Sequence, residues 1–241
     1  MKRGTGIILA AATVLSATAL DAGRPGYPDR VTWSGMSWRV VTSKAAVYPG
    51  PNVFANANVS VDGSGFLHLR IARDLKDRWT SSEIVGPSRG YGTYTFVTAT
   101  PLNGFDANVV LGLFTWSDRA RYAHREIDVE IARWGSATDS TNAQFVVQPH
   151  DAAGHVHRFT ASGAVRTRHR FTWSAGRVAF DSTSLDTGAT IASYTYTGAD
   201  VPKPGGERVH LNLWLHDGAP PTNRLPAEVI VESFTFAPSR E

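Results

Sequence analysis

Three acidic residues, Glu126, Asp128 and Glu130, stand at alternate positions in the segment H-R-E-I-D-V-E-I-A-R-W-G, residues 124–135. Isoleucine and valine fill the positions between them. Side chains on a β-strand alternate between its two faces, so the segment predicts three carboxylates on one face and a hydrophobic row on the other. Neighbouring like charges destabilise a sheet, and an ordinary strand avoids them. The pattern therefore indicates carboxylates with a chemical task.

The spacing of Glu126 and Glu130 permits glycoside hydrolysis with retention of configuration. Four strand steps place their Cα atoms about 13 Å apart, and long side chains on a curved sheet can narrow that gap. The reaction needs two carboxyl groups about 5–5.5 Å apart, one ionised and one protonated. Asp128 can hydrogen-bond the nucleophile and separate the titrations of the cluster. Two other interpretations stay open from the residues alone: an exposed strand face, or a calcium site made of the same carboxylates.

Short β-rich runs separated by turn residues fill the chain after residue 23. Their even spacing, with no alternating helices, predicts an all-β sandwich in one domain, residues 23–241. We expect an irregular segment at Ala22–Gly35 and a single helical turn at Asp74–Trp79. The predicted strands are Ala57–Val61, Phe66–Ala72, Gly92–Ala99, Val109–Trp116, Glu126–Ile131, Asn142–Gln148, Val156–Thr160, His169–Ser174, Arg177–Asp181, Ile191–Tyr196, Val209–Leu215 and Glu228–Phe236.

Residues 1–22 have the form of a secretory signal peptide. Lys2 and Arg3 precede an apolar run from Ile7 to about Leu15, and small-residue cleavage patterns follow. The apolar run is short for a membrane span of roughly 20 residues. We therefore expect a secreted protein, extracellular or periplasmic, with no membrane association after cleavage. The chain has no cysteine, so stability outside the cell must come without disulfides.

Neither charge nor histidine spacing predicts a nucleic-acid or metal partner. Lys and Arg total 24 and Asp and Glu total 21, a formal net charge of +3. The densest basic run, Arg166–Arg170, is flanked by strand-like sequence and is interpreted as a solvated strand end. His155 and His157 have a spacing that metal ligands use. Without a third well-placed ligand this pair predicts no metal site.

The segment E-I-D-V-E (126–130) resembles the signature of glycoside hydrolase family 16, and flanking segments resemble strands of that family in the same order. They are S-S-E-I-V (81–85), R-G-Y-G-T-Y-T-F (89–96), L-G-L-F-T-W (111–116), N-A-Q-F-V-V-Q (142–148), F-T-W-S-A-G-R-V-A-F-D (171–181), L-N-L-W (211–214) and V-E-S-F-T-F (231–236). The resemblance implies a concanavalin-like β-jelly-roll sandwich of two curved antiparallel sheets. It also implies a secreted retaining endo-β-glycanase with Glu126 as nucleophile, Asp128 as assisting acid and Glu130 as general acid/base.

The same resemblance suggests the polysaccharide and the residues that hold it. The triplet has one residue between Asp128 and Glu130, the regular-strand form seen in lichenases and some transglycosylases, which favours a β-1,3/1,4-glucan. Flat aromatic rings suit sugar faces, and planar polar groups suit hydroxyls. The predicted substrate-binding residues are Glu83, Trp116, Gln144, Asn212 and Trp214. The residue types alone leave burial in the sandwich core as the alternative for both tryptophans.

Four positions depart from the lichenase-like pattern. Val85 stands where an arginine is common, and Val146 and Gln148 stand where an asparagine and an aromatic residue are expected. Arg125 replaces the usual aspartate or aromatic residue before the nucleophile. We interpret these departures as a changed substrate preference with the chemistry kept. Arg125 lowers the pKa of Glu126 if it points toward it and has no effect if it points outward.

Two alternative functions stay open. A transglycosylase of the same fold uses the same chemistry, and differs only in whether water or a sugar hydroxyl intercepts the glycosyl-enzyme. A non-catalytic, lectin-like carbohydrate-binding protein has no need of Glu126 and Glu130 together. In each case the partner is a polysaccharide. We expect a monomer that requires no cofactor, and the sequence leaves a structural calcium ion open.

Overall fold

The computed structural model describes residues 26–239, and the predicted signal peptide lies outside them. The strands, in chain order, are β1 (Arg30–Trp33), β2 (Met36–Val40), β3 (Val59–Val61), β4 (Leu67–Arg73), β5 (Trp79–Thr80), β6 (Ser82–Val85), β7 (Gly92–Thr98), β8 (Val109–Trp116), β9 (Ile127–Ile131), β10 (Ala143–Val147), β11 (Val156–Phe159), β12 (Thr167–Ser174), β13 (Arg177–Ser184), β14 (Thr190–Tyr196), β15 (Arg208–Leu215) and β16 (Ala227–Pro238). Three short 3₁₀ turns span Asn56–Asn58, Ala123–Arg125 and His216–Gly218. Within the described residues no helix is long and apolar enough to cross a membrane.

The strands form two antiparallel sheets of eight strands each. The front sheet, which contains β9, has the order β1-β2-β6-β15-β8-β9-β10-β11. The back sheet has the order β14-β13-β12-β7-β16-β4-β3, with β5 paired to β4. The predicted all-β sandwich of two antiparallel sheets is confirmed.

The core lies between the two sheets and fixes which way β9 faces. Ile127, Val129 and Ile131 have no exposed surface and belong to the cluster that fills the sandwich. Burying each such side chain stabilises the fold by about 1.5–3 kcal/mol. A slip of one residue in the register of β9 would turn all three outward, so the register is strongly specified. The acidic residues between them must then lie on the outer face of the front sheet.

The irregular segment predicted at Ala22–Gly35 is wrong where the structure describes it, because β1 occupies Arg30–Trp33. Val31 and Trp33 are buried, and the Trp33 ring packs against Trp38 of β2 at a centroid distance of 5.3 Å. A four-residue strand contains only two inward positions. This is too short an alternation to recognise in the sequence.

The helical turn predicted at Asp74–Trp79 is also wrong. The Asp74 carboxylate accepts the backbone N–H groups of Lys76 and Arg78 at 2.8 and 3.0 Å. Trp79 already belongs to β5, which pairs with β4. Aspartate commonly folds the backbone back on itself in this way, and the segment is a turn between two strands.

Candidate active site

The three acidic side chains meet on the outer face of the front sheet, at β9, the third strand from one edge. Asp128 and Glu130 belong to β9 itself. Glu126 precedes the strand by one residue, but its carbonyl accepts the N–H of Gln148 at 3.1 Å, so strand pairing continues through it. The sequence predicted that the three carboxylates share one face, and the structure brings them together there.

Glu126 and Asp128 are coupled carboxyl groups. Burial raises the pKa of both well above the ordinary range, and the charge of Glu130 raises the pKa of Glu126 further. A hydrogen bond between the two carboxyls lowers the pKa of Glu126 and raises that of Asp128. The two carboxyl groups titrate as a pair, and this hydrogen bond favours the form in which Asp128 donates to an ionised Glu126. In that form Glu126 can act as a nucleophile.

Glu130 titrates near neutral pH. Burial raises its pKa from 4.5 to about 7, and this increase is opposed by a hydrogen bond from Gln144 and by the charge of Arg158. The Gln144 Nε2 donates to Glu130 Oε2 at 2.6 Å, and Arg158 Nη1 donates to Gln144 Oε1 at 3.3 Å. Gln144 therefore lies beside the triplet, as predicted. A carboxyl group with this pKa can both donate and accept a proton at neutral pH.

A left-handed turn leads into Glu126. Tyr122, Ala123, His124 and Arg125 have φ angles of 55°, 44°, 61° and 56°, a region that costs non-glycine residues roughly 1–2 kcal/mol each. Hydrogen bonds hold the turn: Ser117 N–H donates to His124 O at 2.7 Å, and the Thr115 hydroxyl donates to Arg125 O at 2.8 Å. Strain of this kind collects at functional sites. The turn sets the position of Glu126.

Arg125 points away from the acidic triplet. Its Nε donates to the carbonyl of Lys203 at 2.8 Å and its Nη1 donates to the carbonyl of Arg121 at 3.2 Å. The side chain is buried, and its guanidinium lies over the Tyr122 ring at 5.4 Å. Of the two outcomes expected for Arg125, the outward one is found.

Trp116 lies at the end of β8, on the outer face and not in the sandwich core. It is opposite Arg208 of β15 and is partly exposed. Its ring stacks on His124 with a centroid distance of 4.1 Å and an angle of 6°. His124 belongs to the left-handed turn, so the stacked pair and Glu126 share one local support. This placement fits the predicted contact with sugar.

Trp214 also faces outward but is packed into a second, smaller hydrophobic cluster. It contacts Phe54, Val110 and Ala132, and its ring centroid is 6.1 Å from that of Trp134. Only 9% of its surface is exposed. The predicted face is therefore right, while most of the ring is covered by neighbouring side chains.

Asn212 and Gly112 form the floor of the outer face beside Glu130. They are cross-strand partners, and Gly112 is in turn the partner of Glu130 on its other side. A Cβ atom on Gly112 would approach Asn212 Oδ1 to 2.5 Å, so a side chain there would displace the amide. Asn212 Oδ1 is buried with no hydrogen-bond partner in the described part of the chain. Such an atom is costly unless a ligand or water satisfies it.

Glu83 lies next to Asn212 and forms a pair with a residue that sequence reasoning missed. Glu83 Oε1 is 2.8 Å from Nδ1 of His210, and both side chains are nearly buried. The His210 ring packs against Phe114 at 5.1 Å. The alternation H-x-N-x-W in β15 puts His210 on the same face as Asn212 and Trp214. That alternation is the signal that could have found it.

Tyr48 is a second missed residue. Burial raises the pKa of its phenol, and the charges of Glu126, Glu130 and Asp128 raise it further, which places Tyr48 beside the triplet. It is 45% exposed. The loop that carries it is fixed by Asn52, whose Nδ2 donates to the carbonyl of Leu215 at 2.8 Å. Tyr48 lies far from the triplet in sequence, and no local pattern signals this approach.

The histidines that raised the question of a metal have other partners. His155 Nδ1 is 2.7 Å from the carbonyl of Val147, and its Nε2 is 2.9 Å from Asp200. His157 stacks between Phe145 and Tyr194. Over residues 26–239, no group of three or more histidine, aspartate or glutamate side chains has an arrangement that could hold a metal ion.

Two antiparallel sheets with carboxylates on the outer face of one define the class of the fold, a concanavalin-like β-jelly-roll. No protein-family model and no curated protein matches the sequence. Solved structures with the same β-jelly-roll fold do match, and several of them are glucanases.

The Bacillus licheniformis β-glucanase matches over 89% of this chain and 97% of its own, with a TM-score of 0.66 and 18% identity. A β-1,3-1,4-glucanase (lichenase) derived from a mouse hindgut metagenome matches over 84% and 93%, with a TM-score of 0.62 and 19% identity. The Crh5 transglycosylase in complex with NAG matches over 84% and 79%, with a TM-score of 0.56 and 15% identity. At these identities the similarity shows a shared fold. The jelly-roll that the sequence predicts is therefore confirmed.

Proposed function

We propose that the protein is a retaining endo-β-glycanase of the glycoside hydrolase family 16 type. The observation that carries this proposal is that Glu126, Asp128 and Glu130 meet on one face of the front sheet. Glu126 and Asp128 share a hydrogen bond, and burial raises the pKa of Glu130 to about 7. A nucleophile and a proton donor are thus present together on one face of a sheet, as double displacement requires.

In this mechanism the Glu126 carboxylate attacks the anomeric carbon while Glu130 gives its proton to the departing glycosidic oxygen. The result is a covalent glycosyl-enzyme ester on Glu126. The Glu130 carboxylate then takes a proton from water, and the water oxygen displaces Glu126 from the sugar. Two inversions leave the β configuration unchanged. Asp128 supplies a hydrogen bond to Glu126 while it is ionised.

The substrate we propose is a β-1,3/1,4-glucan. The regular spacing of the triplet supports it, and two of the matching structures are a β-glucanase and a lichenase. The outer face offers the Trp116–His124 stack for a sugar face. Glu83 with His210 and the unsatisfied Asn212 amide offer partners for hydroxyl groups.

The test is product analysis on barley β-glucan, laminarin, xyloglucan, agarose, carrageenan and chitin. We expect oligosaccharides from barley β-glucan, and NMR of the first product should show the β anomer before mutarotation. An α anomer as first product would contradict retention. No cleavage of any of the six would favour the lectin-like alternative, which glycan binding without turnover would then establish.

A transglycosylase is the second candidate, supported by the match to the Crh5 transglycosylase. Hydrolysis and transfer differ only in the acceptor that reaches the glycosyl-enzyme. Adding a labelled oligosaccharide acceptor to the same digests separates them. Label in longer chains shows transfer, whereas label that stays in the acceptor shows hydrolysis.

We also propose that the protein is exported and acts as a monomer without a cofactor. The basic start and short apolar run of residues 1–22 support export. The six polysaccharides can be tested with protein that is expressed from the full chain, and its N-terminus can be determined at the same time. A mature N-terminus near residue 23 outside the cytoplasm supports cleavage of the signal peptide. Protein that keeps residue 1 and stays inside the cell contradicts it.

The pair formed by Glu83 and His210 is expected to bind the sugar chain without taking part in bond cleavage. His210→Ala should raise KM by about tenfold and change kcat by less than about threefold. The reason is that the variant loses a contact that binds the substrate and the transition state equally. The measurement is steady-state kinetics on barley β-glucan. His68→Ala is the matched control, since His68 pairs with Asp62 and Glu228 on the back sheet. An effect on kcat alone would contradict a binding role.

A further inference from the structure

The side chain of Gln148 connects the acidic triplet to the loop after β10. Its Nε2 donates to Asp128 Oδ2 at 3.3 Å. Its Oε1 accepts the backbone N–H of His150 at 2.8 Å and lies 3.2 Å from Nδ1 of the same residue. Gln148 is one of the four residues that depart from the lichenase-like pattern. In the structure this residue contacts the acidic triplet directly.

The orientation of the Gln148 amide is determined by chemistry. A backbone N–H can only donate, so the atom that faces the N–H of His150 must be the amide oxygen. The amide nitrogen must then face Asp128. Nδ1 of the His150 ring lies 3.2 Å from the same oxygen and adds a second donor in the tautomer that carries its proton there. The backbone N–H of His150 alone is enough to fix the orientation of the amide.

The oriented amide contacts one of the two oxygens of Asp128. Oδ2 accepts the N–H of Gln148, and this favours Oδ2 as the carbonyl oxygen of a protonated carboxyl group. The proton is then favoured on Oδ1. We propose that Gln148, held by His150, is a positioning residue that aims the Asp128 proton at the Glu126 nucleophile. This role rests on the proposed function, because Asp128 assists catalysis only if Glu126 attacks the sugar.

The backbone around Gln148 is fixed on both sides. Its N–H donates to the carbonyl of Glu126 at 3.1 Å, so the same residue contacts both members of the coupled pair. The loop that follows is closed by His155, whose N–H donates to the carbonyl of Ala152 at 3.2 Å. The buried His155 ring is fixed in turn by Asp200. The support of Gln148 is therefore built before substrate binds.

Few other groups act on the Asp128 carboxyl. Glu126 and Glu130 face it from its own strand, and Tyr48 approaches from its loop. Its cross-strand neighbours on β8 and β10 are the apolar Phe114 and Val146. Burial raises its pKa, and the hydrogen bond from Gln148 opposes that increase. Removing Gln148 should therefore raise the pKa values of the Glu126–Asp128 pair.

The test replaces the amide by a side chain of similar length. In Gln148→Met we expect kcat on barley β-glucan to fall about tenfold with KM changed by less than about twofold, because only the reacting geometry is lost. The acidic limb of the kcat profile should move up by about half a pH unit. His150→Ala keeps the backbone donor and should shift the same limb by less. A KM effect equal to the kcat effect in Gln148→Met would contradict a positioning role.

A second measurement needs no substrate. The carboxyl carbon of Asp128, assigned with Asp128→Asn, is titrated by ¹³C NMR in the wild type and in Gln148→Met. We expect its titration to move to higher pH in the variant. An unchanged titration in a folded variant overturns the role of Gln148, even if the protein proves to be a hydrolase. A shifted titration in a protein that cleaves no glycan would instead overturn the proposed function and leave the contact established.

Discussion

Glu126→Gln is expected to reduce glycan hydrolysis by at least about 10⁴-fold while the protein stays folded. The amide has nearly the shape of the carboxylate but cannot form the glycosyl ester, so the first displacement fails. Glutamine also removes a buried charge beside Glu130, which should leave the fold at least as stable. The measurement is kcat/KM on barley β-glucan together with a thermal melting curve. Unreduced activity in the folded variant would show that Glu126 is not the nucleophile.

The matched control is Glu228→Gln, on the back sheet in contact with His68 and Arg70. It makes the same chemical change far from the triplet and should leave hydrolysis unaltered. Glu126→Ala gives a further check, because the space left by the side chain admits a small anion. With azide and an aryl β-glucoside we expect an α-glycosyl azide, formed by direct attack from the nucleophile's side. A β-glycosyl azide would assign Glu126 to the acid/base role instead.

Glu130→Gln is expected to reduce polysaccharide hydrolysis by about 10²–10⁴-fold, the usual contribution of a general acid. The decrease should be much smaller for a substrate with a good leaving group, such as a dinitrophenyl glycoside, because that group departs without protonation. In the wild type, the activity should fall as pH rises through about 7, where Glu130 loses its proton. The variant should lack this alkaline limb. An unchanged limb in the variant would mean that another group donates the proton.

The same substitution is expected to change stability in a pH-dependent way. Burial raises the pKa of Glu130 from 4.5 to about 7, so the folded protein binds more protons than the unfolded chain in this range. The contribution of Glu130 to stability is therefore greatest below about pH 4.5 and is lost as pH rises through 7. At pH 8 Glu130→Gln should raise the free energy of unfolding by about 2 kcal/mol, allowing for partial exposure. The measurement is unfolding by urea, and the wild type and the variant should have the same free energy of unfolding at pH 4. A variant that is less stable than the wild type at pH 8 would contradict this account.

The face occupied by the triplet could be predicted because period-two alternation is a local property of the chain. Three aliphatic residues must be buried, and the acids between them then have only one side to occupy. The same reasoning correctly places Asn212 and Trp214 on that face. It could have found His210 as well, since His210 continues the alternation of β15.

Features that depend on long-range packing could not be predicted in this way. Tyr48 reaches the triplet only because Asn52 ties its loop to the end of β15. Arg125 turns away from Glu126 because a left-handed turn directs its side chain toward Lys203. Glycine is the usual sequence signal for such a turn, and this turn contains none. Such positions are set by contacts between segments distant in sequence, which residue types along one segment do not encode.

Gly112 has a consequence for the polar groups on the strands beside it. The space that a Cβ atom would take at Gly112 is filled by the Asn212 amide, because such an atom would come within 2.5 Å of Asn212 Oδ1. The glycine on β8 therefore fixes the position of a polar side chain on the neighbouring strand β15. On its other side Gly112 pairs with Glu130, so one residue without a side chain separates that amide from the proton donor we propose. A methyl group at this position would alter the arrangement of polar atoms beside Glu130 without touching the carboxylates themselves.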